Sequence, residues 1–157
     1  MTGSQILLFA FLIGILSGLR SLTSLAVTSW AAHLGWLKLY GQLALVGTLP
    51  AVIILTVLAL AELVADKLPS TPSRTAPAGL TARIFTGAAT GAALAIAGAQ
   101  IAIMGVLLGA AGAVAGTFGG YQARKRLVKA LGTPDYVVAM LEDLVAIGGS
   151  LWIVSRF

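Results

Sequence analysis

The sequence predicts an all-α fold: a polytopic α-helical membrane protein of five or six transmembrane helices in a single domain. Composition is the first reason. Of 157 residues, 59% are hydrophobic and 10% charged, whereas a soluble domain carries about 25% charged residues. A water-soluble chain this apolar would expose aggregating patches. The second reason is arrangement, because apolar runs long enough for the ~30 Å hydrocarbon core alternate with short polar segments. The third is where the charge sits. The net charge is +5, and the basic residues fall between the runs. There they serve as topology signals and contacts for membrane lipids with anionic headgroups, not for nucleic acid.

The first apolar stretch runs from Ile6 to Gly18. The preceding MTGSQ contains no Lys or Arg, so a retained span is expected rather than a secretory signal. SGLRSLTSLAVTSW follows, from Ser17 to Trp30, apolar but studded with hydroxyls and one arginine. Two forms fit it. One is a single tilted helix over about 4–32 with Arg20 near its middle. The other is a helix broken between Gly18 and Ser24, where hydroxyls satisfy the freed backbone groups. Broken helices line binding sites in secondary transporters. The plainer reading is that Ser and Thr bond back to their own helix. Residues 33–42 form an interfacial loop, with Trp30, Trp36 and Tyr40 as an aromatic belt. His33, the only histidine, is expected to be solvated.

The second span covers about 43–66, and Pro50 is expected to kink it. Glu62 and Asp66 are four apart and share a helical face. Asp66 and Lys67 read as a solvated helix end; Glu62, one turn deeper, reads as functional. LPSTPSRTAPAGL, with three prolines, marks residues 67–83 as the main loop. The stretch from Ile84 to Ala123 would make about 60 Å of helix, twice the hydrocarbon thickness. It is therefore two spans, about 84–101 and 103–123, turning near Gln100 to Gly105. Small residues recur at spacing four, at Gly87 and Gly91, at Gly105 and Gly109, and at Gly112, Gly116 and Gly120. Such glycine stripes let helices approach closely, within the chain or in a homo-oligomer. A basic run follows at Arg124, Lys125, Arg126 and Lys129. Gly132 and Pro134 then break the chain before the last span, about 135–155.

Charge sets the topology. Lys67, Arg74, Arg83, Arg124, Lys125, Arg126 and Lys129 fall on one face, Lys38 and Arg156 on the other, which assigns the first face to the cytoplasm. Five spans put the N-terminus inside and the C-terminus outside. A hairpin at Arg20 makes six, moves the N-terminus outside and adds Arg20 to the cytoplasmic set. A weak inverted repeat is also visible: AELVA at 61–65 and EDLVA at 142–146, each after a Gly-Thr and a nearby proline.

The last span, Tyr136 to Val154, holds Glu142 and Asp143 side by side. Each intramembrane charge costs a few kcal/mol and so faces a partner or a water-filled cavity. The candidate site for an ion or small solute is Arg20, Glu62, Glu142 and Asp143, with Ser21, Thr23, Asp66, Lys67 and Arg83 as secondary polar groups. Adjacent acids project about 100° apart on a helix. One is thus expected on Arg20 and the other on Lys67 or Arg83. Two acids against one arginine leave negative charge over, which points to a cation, a proton or a second basic partner. No HExxH, GxSxG or phosphate-cradling loop is present, and there is no cysteine. No enzymatic activity, cofactor or metal is expected.

GLRSLTSLAVTSWAA, ELVADKLPSTPSRTAPAGLTARIFTGA, GGYQARKRL and LEDLVAIGG together give the chain a resemblance over nearly its whole length. It resembles a bacterial family of small integral membrane proteins known only as a domain of unknown function. Gly18-Leu19-Arg20, Glu62 to Pro69 and Glu142-Asp143 are the most specific pieces. A proline often follows the family's Arg-x-x-Thr; Ser24 stands there in this chain. The resemblance implies a membrane location and importance for those residues, and no mechanism. The expectation is a multi-pass protein of the bacterial inner membrane. It would be a small transporter or channel-like protein or, alternatively, a non-transporting protein that self-associates through its glycine stripes and supports a partner or binds lipid.

Overall fold

The computed structural model describes residues 1–66, 75–132 and 134–157. Among these the chain forms helices and no strands: α1 (Gly3–Leu19), α2 (Ser21–His33), a 3-10 helix (Gly41–Gly47), α3 (Leu49–Ala65), α4 (Pro77–Ala97), α5 (Ala102–Leu131) and α6 (Asp135–Val154). Helices α4, α5 and α6 are each long and apolar enough to cross a membrane. A fourth span results if the 3-10 helix and α3, bent by 63° at their junction, count as one. The chain is thus a helical membrane protein by its architecture. Exposed Leu8, Ile53, Val57, Phe85, Leu107, Leu144 and Leu151 give it an apolar exterior.

Local chemistry sets the helix ends. Thr2 caps α1 in a capping box with Gln5. The first stretch is broken, not continuous over 4–32: Arg20 alone is extended (φ −141°, ψ 103°) between α1 and α2. Pro50 does not kink a span. It lies in the first turn of α3, where its missing N–H has no intrahelical partner to lose; the bend sits just before it. Pro77 likewise opens α4, so residues 77–83, read from sequence as loop, are helical. The turn between α4 and α5 falls at 98–101, ahead of the expected position, with Ala99 left-handed (φ 54°). α5 continues through the basic run to Leu131 and stops at Gly132, whose φ of 60° is the left-handed cap that glycine adopts without strain. Lys67 and Arg74 lie outside the described residues.

The helices alternate in direction. α4 opposes α5, since Gly87 lies against Gly109 and Gly91 against Gly105; α1 runs with α5, placing Gly14 on Gly109 and Gly18 on Gly116 and Thr117. α6 opposes α1, with Gly149 against Leu16 and the Phe9 and Trp152 rings 5.6 Å apart, edge to face. α2 runs with α6, through Ser24 and Ser150, and opposes α3, where Trp30 Nε1 donates to Thr56 Oγ1 at 3.0 Å. α1 and α2 therefore form a hairpin with its tip at Arg20. His33, rather than being merely solvated, reaches the Gly47 carbonyl at 2.9 Å and ties the hairpin's return end to the 3-10 helix. A core of Ile13, Leu16, Ala31, Leu37, Leu94, Ile153 and Val154 fills the bundle.

Candidate functional site

Breaking a helix at one residue frees backbone groups on both sides of the break. Here they are met by side chains from other helices. Glu62, near the end of α3, places its carboxylate on the first turn of α2. Oε1 accepts from the Ser21 amide at 2.9 Å and the Ser21 hydroxyl at 2.6 Å, and Oε2 accepts from the Leu22 amide at 2.8 Å. A carboxylate at a helix N-terminus is also favoured by the macrodipole. On the other side, Thr117 Oγ1 donates to the Gly18 carbonyl at 3.3 Å. Ser17 and Thr28 bond back to their own helices, the plainer of the two sequence readings, and the groups freed at the break are met by Glu62 and Thr117 from other helices instead of by hydroxyls of the stretch itself.

Arg20, at the break, is completely buried. Its guanidinium lies between Asp66 of α3, which it contacts through Nη1, and Asp143 of α6, whose Oδ1 is 2.6 Å from Nε. Arg83 of α4 approaches Asp66 at 3.9 Å. A single arginine at the tip of the first hairpin thus joins α3 to α6. Asp66 is not a freely solvated helix end; its side chain is 17% exposed. Two buried donors, Arg20 Nη2 and Thr23 Oγ1, have no hydrogen-bond partner among the described residues.

Glu142 turns away from this group. It accepts from Arg124 Nη1 at 3.2 Å, while Arg124 also reaches Asp135 at 2.8 Å through Nε. The adjacent acids of α6 thus face different arginines, as their angular separation requires. Glu142 pairs with Arg124, which the sequence does not single out, and Lys67, one of its two expected partners, lies outside the described residues. Arg124 escaped the sequence reading because it sits in a basic run that looks like a headgroup contact. The available signal was spacing: Asp135 and Glu142 are seven apart on one face, just across the Gly132 turn from Arg124.

Of the sequence candidates, Arg20, Ser21, Thr23, Glu62, Asp66, Arg83 and Asp143 gather around the break. Glu142 belongs to a neighbouring ion pair, and Lys67 is outside the described residues. All five acidic residues of the chain are used in the two groups, on three arginines and one helix end. The second basic partner expected from the charge imbalance is therefore present twice, as Arg83 and Arg124. No group of His, Cys, Asp and Glu side chains suited to a metal occurs among the described residues.

Residues 7–155 match the family model described as Domain of unknown function (DUF4126). No curated protein and no solved structure is detectably similar to the chain.

Proposed function

The chain belongs to this family, which brings no activity with it, and from the side chains alone we propose that it is a small transporter of the bacterial inner membrane. It would move an ion or small charged solute, without chemical conversion, past the break at Arg20. The alternation of six helices supports a six-segment arrangement with Arg20, Glu62 and Asp143 at one depth. The observation that carries the reading is a helix interrupted at a buried arginine, its new N-terminus facing a carboxylate from another helix. Irregular backbone is tolerated where protein or water surrounds it, here at the hairpin tip toward one end of the bundle, and helix ends recur as solute and ion sites in transporters.

Labelling tests it. The chain has no cysteine, so single cysteines report cleanly. Thr23→Cys, beside the break, is exposed to membrane-impermeant thiol reagent from each side, with the lipid-facing Leu151→Cys and the core Ala10→Cys as controls. Modification of Thr23→Cys alone is the expected result, followed by solute flux in proteoliposomes. Protection from both sides in a folded, inserted protein would reject transport through this site. The complete burial of Arg20 favours the second reading in that event: a sealed ionic lock in a non-transporting protein that supports a partner or binds lipid. Self-association would then use faces other than Gly87, Gly91, Gly105, Gly109, Gly112 and Gly116, which pack inside the chain.

A further inference from the structure

We infer that the first turn of α2 is a carboxylate site, occupied at rest by the chain's own Glu62, and that the solute is a small carboxylate anion that exchanges with it. This rests on reading the break as a solute site and names the class of solute.

The geometry is that of a planar carboxylate held by both oxygens. Two successive amides, of Ser21 and Leu22, take one oxygen each, and the Ser21 hydroxyl adds a second donor to Oε1. The turn holds more donor capacity than Glu62 uses. Thr23 Oγ1, in the same turn, and Nη2 of Arg20, the residue before it, are buried and have no acceptor among the described residues. Unused buried donors are costly, and an acceptor that reached them would recover that cost. They argue against a cation as the ligand here, since a cation needs oxygens that Glu62, Asp66 and Asp143 have already committed. An additional anion beside Asp66 and Asp143 would be repelled. Exchange for Glu62 leaves the local charge unchanged, so one carboxylate replaces another. The incoming group has Thr23 and Arg20 as further donors nearby, while the Glu62 side chain swings out and α3 stays held by Thr56 on Trp30 of α2 and by Asp66 on Arg20.

The test is rescue by an added carboxylate. Glu62→Ala empties the cradle and removes its charge. In the purified, detergent-solubilised full chain, formate should raise the melting temperature of this variant saturably, by about 4 °C or more, above chloride at matched ionic strength. In the wild type, where Glu62 competes, the rise should be at least fivefold smaller at equal formate. Adding Thr23→Val to Glu62→Ala should weaken half-saturation severalfold. If Glu62→Ala does not insert, Glu62→Gln, a neutral side chain of similar shape, is titrated in its place with the same expectation. Equal responses to formate and chloride would overturn the inference, as would a rescue that Thr23→Val leaves unchanged. Formate rescue without carboxylate flux in proteoliposomes would retain the site and discard transport, so the two failures are distinguishable.

Discussion

Arg20 and Arg124 each join two acids, yet their energetic weights should differ. Arg20 has no exposed surface, and its partners' side chains are 17% and 11% exposed. Removing one member of a buried ionic group leaves uncompensated charge and costs about 3–5 kcal/mol, whereas replacing the whole group with apolar residues is often neutral. Arg20→Leu should therefore destabilise the protein by about that amount. The triple variant Arg20→Leu, Asp66→Leu, Asp143→Leu should recover part of it, less than full recovery because the buried Arg83 then loses Asp66, both read by unfolding in detergent. Arg124 pairs with Asp135, which is 64% exposed, and water can take over much of that interaction. Arg124 also pairs with Glu142, 11% exposed, so Arg124→Ala should cost about 1–3 kcal/mol, between exposed and buried pairs. A cost above 3 kcal/mol would show that Glu142 is far more dependent on Arg124 than its geometry indicates.

Among the elements, α5 is the one the others are built on. Its glycines meet α4 on one side and α1 on the other, so close that a methyl group on Gly109 would collide with the Gly87 carbonyl and one on Gly116 with the Ile15 carbonyl. Gly119, three residues on, has open space around it. Gly109→Ala should force α4 and α5 apart and cost about 1–3 kcal/mol, as overpacking does. Gly119→Ala should be neutral or gain up to about 1 kcal/mol from helix propensity. Thermal stability of the two variants side by side checks the seam, and equal behaviour would mean that the helices can re-space at no cost. The stripe itself was legible in the sequence as a spacing of four. What spacing could not reveal was which helices it joins, because the contacts of Gly109 with α4 and of Gly112 and Gly116 with α1 depend on how the helices pack.

At the scale of the molecule, the alternation of α1 to α6 places both termini at the end opposite the ionic groups. In the proposed inner-membrane topology, which puts Lys125, Arg126 and Lys129 at the cytoplasmic face, cysteines at Thr2 and at Phe157 should both react from the periplasmic side only. Reaction from opposite sides would restore five spans and dismantle the Arg20 hairpin. The helical membrane class and the polar first stretch were readable from composition, and Arg20, Glu62 and Asp143 stood out as charges in apolar surroundings that the structure brings together around the break. The break could not be assigned to one residue, because it depends on Glu62 and Thr117 arriving from elsewhere to satisfy the severed backbone. For the same reason Asp66 read as a solvated end: its partner lies on another helix. This dependence has a consequence for biogenesis. The arginine at the tip of the first hairpin is made early, and Asp143, one of its two counter-ions, is in α6, made after α1 to α5. Until α6 arrives, the nascent protein holds a half-neutralised arginine at the tip of its first hairpin. A chain truncated before α6 should be recognised as unfinished and degraded, whereas co-expressing α6 as a separate peptide should rescue it.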